Sequence, residues 1–220
     1  MTKTTSTSRT LRARTRAVRG GLERSQHGET SEALYLTSGF AYPDAGSAER
    51  RFRNEEPGYI YSRFSNPTVA AFEQRLTLLE DAPEGVECRA TATGLAAVSS
   101  AFLGTLSAGD HVLSSRALFG GCRYIVEELL PRLGIASTLI DGADIKTWEA
   151  AIRPNTKAFF LETPSNPALE IFDVRAIADL AHAHGAMLVI DNVFASPIFQ
   201  KPFALGADIV VYSATKHMDG

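Results

Sequence analysis

Three segments between residues 156 and 192 read TKAFFLET (156–163), DVRAIADLAHAHG (173–185) and AMLVIDN (186–192). The first and the third are short apolar runs that end in polar residues, a pattern typical of buried strands. The middle segment is apolar at helical spacing, with an aspartate at its start and a glycine at its end. This order predicts two parallel strands joined by a crossover helix.

The same alternation continues on both sides of this unit. Further strands are predicted for GDHVLSS (109–115), ASTLID (136–141) and DIVVYSA (208–214), and further helices for TVAAFEQRLTLLE (68–80), GLAAVSSAFLGTL (94–106), GGCRYIVEELLPRLG (120–134, helical up to Pro131) and ADIKTWEAAI (143–152). The predicted fold class is therefore α/β, a mostly parallel sheet with helices on both faces. Residues 1–60 lack this alternation, so we expect a partly flexible, extended N-terminal arm there and the sheet domain over residues 61–220.

Composition restricts the classes of function. The 220 residues are 45% hydrophobic, which is enough for a core, and the apolar runs are far shorter than the roughly 20 residues of a membrane helix. Cys88 and Cys122 are too few and too far apart for a disulfide framework or a zinc site. We therefore expect reduced thiols, no metal site and a soluble, cytoplasmic protein that does not act at a membrane.

Charge separates the start of the chain from the rest. Residues 1–19 contain six basic residues and no acidic one, a composition similar to that of a transit peptide, although a flexible arm is the simpler interpretation. Without those six, 16 of the 22 basic residues remain against 25 acidic ones, a net charge of −9. An acidic body argues against a nucleic-acid partner.

Polar residues follow the apolar runs at the carboxyl ends of the predicted strands, where parallel sheets bind their ligands. These residues are Glu162, Thr163, Asp191, Asn192, Ser213, Thr215 and Lys216. The sequence contains neither G-x-G-x-x-G nor G-x-x-x-x-G-K-[ST], so a site for a dinucleotide or a nucleoside triphosphate is not predicted.

The residue types at this edge suit the chemistry of pyridoxal phosphate. A lysine at the mouth of an apolar strand has a partly desolvated ammonium, which makes its amine a better nucleophile toward an aldehyde. Asp191 is suited to hold a proton on a pyridine nitrogen, and the hydroxyls before Lys216 are suited to donate to a phosphate. Gly94 and Leu95 begin a predicted helix, whose first N–H groups bind phosphate. Each residue alone also has an ordinary structural explanation, so the combination is what predicts one cofactor site.

Five motifs occur in a fixed order along the chain. They are YSRFSNPT (61–68), TATGLAAV (91–98), ETPSNP (162–167), IDNVFASP (190–197) and YSATKHMDG (212–220). By these motifs the chain resembles the Cys/Met-metabolism family of fold-type I pyridoxal-phosphate enzymes. With TSGFAY (37–42) and Phe119 it is most similar, within that family, to the O-succinylhomoserine sulfhydrylases.

The resemblance implies a role for each residue that matches a family motif. Lys216 is implied to bind the cofactor aldehyde through its amine, and Asp191 to pair with the pyridinium nitrogen, which makes these two the catalytic residues. Asn166 is implied to lie near the phenolic oxygen of the cofactor. The residues implied to hold the phosphate are Ser213, Thr215, Gly94 and Leu95.

Two further implications concern a second subunit and the cofactor ring. Tyr61 and Arg63 are implied to reach the phosphate of a neighbouring subunit, which means a homo-oligomer with shared sites, usually a homotetramer in this family. Phe119 stands where most members carry a tyrosine stacked on the ring. Phenylalanine keeps the stacking and lacks the hydroxyl.

The reaction implied by the resemblance is a γ-replacement in methionine biosynthesis, in which O-succinylhomoserine and sulfide give homocysteine and succinate. The alternatives are cystathionine γ-synthase, a cystathionine or methionine lyase of the same family, and a non-catalytic truncated remnant. In the family the domain continues beyond the lysine, and a C-terminal domain supplies the arginine that grips the substrate carboxylate. We therefore expect the C-terminal part to be absent from these 220 residues, and the activity of this chain alone stays open.

Overall fold

The computed structural model describes residues 11–218. The chain divides into two compact units, of which one ends at Ala90 and the other begins at Thr91. The first ten residues of the leading basic segment and the last two residues of the chain lie outside the described residues. The predicted boundary after residue 60 stays a prediction.

The first unit contains three helices: α1 (Ala13–Arg19), α2 (Ala45–Phe52) and α3 (Pro67–Leu79). Residues 11–60 thus include two regular helices where the sequence predicts an extended arm. For α1 the reason is a tertiary contact, because Arg16 donates to the carbonyl oxygen of Leu78 at 3.1 Å and pairs with Asp81 just beyond α3. For α2 it is a local cap, since Asp44 accepts the N–H of Ser47.

The second unit alternates strands and helices. Its elements are α4 (Gly94–Leu103), β1 (His111–Ser115), α5 (Gly120–Tyr124), a π-helical stretch (Ile125–Leu129), α6 (Leu130–Arg132), β2 (Ala136–Ile140), α7 (Ile145–Ala151), β3 (Thr156–Glu162), α8 (Val174–Ala183), β4 (Met187–Asp191), α9 (Ser196–Phe199), a 3-10 helix (Pro202–Leu205) and β5 (Ile209–Val211). The five strands pair in parallel in the order β2-β1-β3-β4-β5. The predicted α/β class with a parallel sheet is confirmed.

The sheet is buried on both faces, because alternate residues of each strand belong to different hydrophobic clusters. Phe160 and Val189 pack with α4 and with the helical run that begins at α5. Phe159 and Ile190 pack on the opposite face, with Trp148 of α7 and with α8. The near-continuous apolar runs in the sequence are the result of this two-sided burial.

The helix starts follow the predicted capping. Asp144 accepts the N–H of Lys146 at the start of α7, and Asp173 accepts the N–H of Ala176 at the start of α8. Gly185 follows α8 with a φ of 67°, a left-handed conformation that suits glycine.

Two predicted ends differ from the structure. Helical structure continues past Pro131 to Arg132. The π-helical stretch runs directly into α6, so the backbone leaves the regular α-helical bonding pattern just before the proline, which has no N–H to contribute. β5 ends at Val211, so the predicted strand over residues 208–214 is shorter and the following residues form a turn. Within residues 11–218, the helices are too short or too polar for any of them to span a membrane.

Candidate functional site

The carboxyl ends of β3, β4 and β5 form one edge of the sheet, since these three strands are neighbours. Glu162 at the end of β3 pairs in register with Asp191 at the end of β4, and Asp191 pairs with Val211 of β5. After β5 the chain turns, and the Lys216 N–H donates to the carbonyl oxygen of Ser213 at 3.2 Å. Parallel register thus brings two carboxyl groups and the lysine-bearing turn to the same edge.

Asp191 is buried, with 8% of its surface exposed. Its Oδ1 accepts the N–H of Val193 at 3.0 Å, and its Oδ2 accepts from the Cys122 thiol with an S···O distance of 3.8 Å. Burial raises the pKa of Asp191 to about 6, against the lowering effect of these two hydrogen bonds. At neutral pH the group is therefore mainly an oriented, buried carboxylate.

Glu162 is the second buried carboxyl, with 1% of its surface exposed. Its Oε2 accepts the N–H of Phe119 at 2.6 Å. Burial raises the pKa of Glu162 to about 7, and the neighbouring charge of Asp191 raises it further, while the N–H groups of Phe119 and Asn166 lower it. The two carboxyls share one face of the sheet, and the charge of Asp191 opposes the ionisation of Glu162.

The start of α4 lies directly against the turn after β5. A Cβ added to Gly94 would come within 2.7 Å of the Ser213 Cβ, a distance that real contacts do not reach. Thr93 caps α4 by accepting the Ala96 N–H at 3.0 Å. The first N–H groups of a helix have no intrahelical acceptor, so α4 presents donors and a positive dipole end beside the Ser213 hydroxyl. This corner is suited to an anion such as a phosphate.

Leu95 connects that corner to Phe119. A Cβ added to Gly121 would lie 2.8 Å from Leu95 Cδ2 and 2.9 Å from Phe119 Cε1, so both side chains pack on the bare glycine. Phe119 immediately precedes α5, and 45% of its surface is exposed. It therefore offers an aromatic face close to the start of α4.

Lys216 and Thr215 are exposed in the turn after β5. The sequence predicts a partly desolvated Lys216 ammonium, whereas the described structure leaves this side chain exposed. The reason is that β5 ends five residues before the lysine and the chain turns outward. The turn is held on one side by the rings of His217 and Phe194, whose centroids lie 6.4 Å apart. Phe194 follows Asp191 closely in the chain, so this contact joins the lysine turn to the end of β4.

The remaining predicted residues occupy different places. Asn166 is half-buried in the loop after β3, and its N–H acts on the Glu162 carboxyl. Tyr61 and Arg63 belong to the first compact unit, where the Arg63 guanidinium lies 5.0 Å from the centre of the Tyr61 ring. Both side chains are exposed within that unit.

Two polar residues expected at the edge are used by the fold itself. Thr163 Oγ1 accepts the Phe172 N–H at 3.2 Å, and Asn192 Oδ1 accepts from the Gln200 side chain at 2.7 Å. Conversely, the sequence assigned no chemistry to Cys122, which donates to Asp191. Its signal was helical spacing, since Cys122 lies three and four residues before Ile125 and Val126 of the same buried cluster.

A shifted pKa alone does not identify the carboxyl ends of β3, β4 and β5 as the functional site. Burial lowers the pKa of His111 to about 4, yet His111 begins β1 at the opposite edge of the sheet. Both of its ring nitrogens are engaged, by Thr156 at 2.8 Å and by Thr138 at 2.9 Å, which is a structural arrangement. Across residues 11–218, no three or more His, Cys, Asp or Glu side chains form a group that could hold a metal ion.

Together these residues can hold an anion at the start of α4, a protonated ring nitrogen at Asp191 and an aromatic ring near Phe119, with an amine on the adjacent turn. The model of the family described as Cys/Met metabolism PLP-dependent enzyme matches residues 14–220. An O-succinylhomoserine sulfhydrylase of Mycobacterium tuberculosis (strain H37Rv) is 50% identical over 203 residues, which are 92% of this chain and 49% of that protein.

Two further relatives show the range of the similarity. An L-methionine gamma-lyase of Porphyromonas gingivalis is 41% identical over 208 residues, 94% of this chain and 51% of the lyase. A solved Campylobacter jejuni structure, described as a candidate O-acetylhomoserine (thiol)-lyase with N′-pyridoxyl-lysine-5′-monophosphate, superposes with a TM-score of 0.87 at 32% identity and covers 94% of this chain and 51% of its own. This chain spans about half the length of the curated relatives it matches.

The contact between Gly94 and Ser213 gives a first prediction. Gly94→Ala should lower the free energy of unfolding by about 1–3 kcal/mol, because the added methyl group forces α4 and the turn after β5 apart. Gly120→Ala is the matched control, since its Cβ would meet no atom within 4 Å and should change stability by less than about 1 kcal/mol. Urea unfolding measures both values. Equal effects of the two substitutions would contradict the close approach.

The two buried carboxyls predict a pH dependence of stability. The pKa of Glu162 rises from 4.5 to about 7 on folding and that of Asp191 from 3.8 to about 6. The folded chain therefore binds more protons than the unfolded chain between about pH 4 and 7, and these groups make the free energy of unfolding fall as pH rises through that window.

Glu162→Gln should remove the share of Glu162 in this dependence, which is at most on the order of 3 kcal/mol. Urea unfolding at each pH gives the free energy of unfolding of the variant minus that of the unmodified chain. This difference should be more positive at pH 8 than at pH 5. The control is Glu127→Gln, because the Arg123 partner lowers the pKa of Glu127. A Glu162→Gln effect that is the same at pH 5 and pH 8 would contradict the raised pKa.

Proposed function

Since the chain belongs to the Cys/Met metabolism family of PLP-dependent enzymes, we propose that it catalyses γ-replacement on an activated homoserine ester. The proposed reaction converts O-succinylhomoserine and sulfide to homocysteine and succinate, a step of methionine biosynthesis. The observation that carries this choice is the 50% identity to an O-succinylhomoserine sulfhydrylase, against 41% to a methionine lyase.

The described residues fit pyridoxal phosphate. The phosphate would be held by the first N–H groups of α4, at Gly94 and Leu95, with the hydroxyls of Ser213 and Thr215. Gly94 supports this assignment, because only a residue without a Cβ lets α4 approach Ser213 so closely. Asp191 would pair with the ring nitrogen, and its buried Oδ1 is already oriented by the Val193 N–H.

When bound, pyridoxal phosphate supplies an aldehyde that takes up amines and a ring that accepts electron density. The Asp191 carboxylate keeps a proton on the ring nitrogen, which strengthens that acceptance. Lys216 Nζ would remove a proton from the α-carbon of the substrate and then one from the β-carbon. The electron pair of that β C–H bond would form the Cβ=Cγ bond as succinate leaves the γ-carbon with the electrons of the C–O bond. Hydrosulfide would then supply the electron pair of the new C–S bond at the γ-carbon, and protons would return to the β- and α-carbons.

Phe119 restricts how protons move in this site. A phenylalanine stacks on a ring as a tyrosine does, but it has no hydroxyl through which a proton can pass. The proton transfers at the α- and β-carbons therefore fall to Lys216, which the turn after β5 leaves exposed. Phe119 contributes the orientation of the ring and the exclusion of water from one of its faces.

We further propose a homo-oligomer with shared sites, a homotetramer by resemblance. Tyr61 and Arg63 would contact the phosphate bound by a neighbouring copy. Within its own copy, Asn166 would lie near the phenolic oxygen of the cofactor. The exposed Arg63 guanidinium, stacked 5.0 Å from the Tyr61 ring and 5.2 Å from the Phe64 ring, is presented as a fixed cation and supports this assignment. The free thiols of Cys88 and Cys122 support a reducing compartment, the cytoplasm.

The reaction is tested with protein purified from its native gene. O-Succinylhomoserine and sulfide should give homocysteine at least about tenfold faster than O-acetylhomoserine and sulfide, since a difference of 1.4 kcal/mol in transition-state binding suffices for that ratio. Thiol-specific chromatography measures homocysteine. Faster release of a 2-oxo acid from methionine or cystathionine would replace the proposal by a lyase. No turnover of any of these substrates would favour the non-catalytic remnant.

The shared site is tested by mixing two inactive variants. Arg63→Ala should impair the site of the neighbouring copy, while Lys216→Ala should inactivate only its own site. Oligomers mixed by dissociation and reassociation should then regain part of the activity, because some sites combine an intact Lys216 with an intact Arg63. The control is Arg53→Ala, which removes an exposed cation paired with Glu49 and should keep full activity by itself. Mixed oligomers without activity would mean that each site is built from one chain.

A further inference from the structure

Glu162 is a buried carboxyl that the proposed reaction does not use. Its Oε2 accepts the N–H of Phe119 at 2.6 Å, a short bond typical of a charged acceptor. Its Oε1 is buried and accepts no hydrogen bond of full geometry among residues 11–218, although the Asn166 N–H lies near enough to lower the pKa of the carboxyl. A buried carboxyl without full compensation is costly, so its protonation state has consequences for the group to which Glu162 is bonded.

That group is the backbone of Phe119, at the exact point from which its ring projects. The Phe119 N–H lies just before α5, outside the hydrogen-bond pattern of that helix, so the Glu162 carboxyl is its acceptor. The ring itself packs near Gly121 and Leu95. One hydrogen bond therefore connects Glu162 to the backbone of an aromatic residue that is 45% exposed.

The charges that act on Glu162 come from few elements. β4 places Asp191 beside it in register, and α5 adds the neutral Cys122 thiol, whose pKa burial raises. β1 ends in the uncharged Ser114 and Ser115, and α4 faces the site with Gly94 and Leu95. The loop after β3 adds the N–H of Asn166, which lowers the pKa of Glu162. Among the groups that shift the pKa of either carboxyl there is no lysine or arginine, so no cation compensates the burial of Glu162 or the charge of Asp191 beside it.

We propose that Glu162 is a positioning residue: its ionised carboxylate holds the backbone of Phe119 in place, and protonation weakens that hold. A carboxylate accepts an N–H bond roughly twice as strongly as a neutral oxygen, so the two protonation states differ in how firmly Phe119 is fixed. The further step, in which the fixed Phe119 ring orients the cofactor, rests on the proposed function. The hydrogen-bonded link between Glu162 and Phe119 is independent of that function.

The link is tested by NMR on the cofactor-free chain labelled with 15N-phenylalanine, in which Phe119→Leu identifies the Phe119 signal. The amide proton of Phe119 should titrate with a midpoint near pH 7, the pKa of Glu162. Glu162→Gln should abolish this titration, and Glu162→Ala should also speed exchange of the Phe119 amide proton by about tenfold, because a hydrogen bond is lost. A flat Phe119 signal in the unmodified chain, or a titration that persists in Glu162→Gln, would overturn the proposal.

Two further variants distinguish Glu162 from its neighbours. Asp191→Asn should keep the titration but move its midpoint to lower pH, since the charge that raises the pKa of Glu162 is removed. If Asp191→Asn abolished the titration instead, the signal would report Asp191 and the proposal would be wrong. Glu127→Gln is the matched control, because Glu127 lies on the same helical run but pairs with Arg123 at the surface. It should leave the Phe119 titration unchanged.

The visible circular dichroism of added pyridoxal phosphate tests the part that rests on the proposed function. Glu162→Ala should lose at least half of the intensity of the visible dichroism band of the bound cofactor, and Glu127→Gln should retain its full intensity. A full band in Glu162→Ala would overturn the link from Phe119 to the cofactor and leave the proposed function intact. Absence of the band in the unmodified chain would contradict the proposed function, while the amide titration would still decide whether Glu162 holds Phe119.

Discussion

The in-register pairing of β3 with β4 places two carboxyl groups, Glu162 and Asp191, beside each other at one buried edge. Burial raises the pKa of both, and the charge of Asp191 raises the pKa of Glu162 further. The fold opposes that cost with hydrogen bonds to each group, from Phe119 to Glu162 and from Val193 and Cys122 to Asp191. Buried carboxyl groups with raised pKa values are costly for folding and are typical of functional sites. Here the hydrogen bonds orient Asp191, so that its carboxylate can pair with a bound cation.

The other fixed point is the close approach of α4 to the turn after β5. Gly94 lets the helix start reach Ser213, and Lys216 lies on the same turn. Contacts then run from Gly94 through Leu95 and the bare Gly121 to Cys122 and Asp191. An anion-binding corner, an aromatic face and a buried carboxylate are in this way held by one continuous set of contacts within the second unit.

Much of this unit could be predicted from the sequence. Two-sided burial of a parallel sheet leaves near-continuous apolar strands, and each strand end was visible as a change to polar residues, as at Asp191. Capping aspartates such as Asp173 fixed the helix starts. The convergence of Asp191 and the Lys216 turn followed from the general position of ligands in parallel sheets.

The rest depended on information that a linear pattern does not contain. Strand order and register decide that Glu162 neighbours Asp191, and no local signal links Glu162 to Phe119 across 43 residues. Cys122 looked like an ordinary core residue, because helical spacing does not say which polar atom lies opposite. Lys216 is exposed because β5 ends earlier than its apolar run predicts. α1 forms through arginine contacts with α3 that composition cannot show.

We propose that the lysine turn, the α4 start and Asp191 form one site for pyridoxal phosphate. The most direct measurement is borohydride reduction of the protein saturated with this cofactor, followed by peptide mass spectrometry. We predict one reduced adduct, on Lys216, that disappears in Lys216→Ala and remains in Lys146→Ala, which alters an exposed lysine of α7. A single adduct on another lysine, or one that survives in Lys216→Ala, would contradict the account.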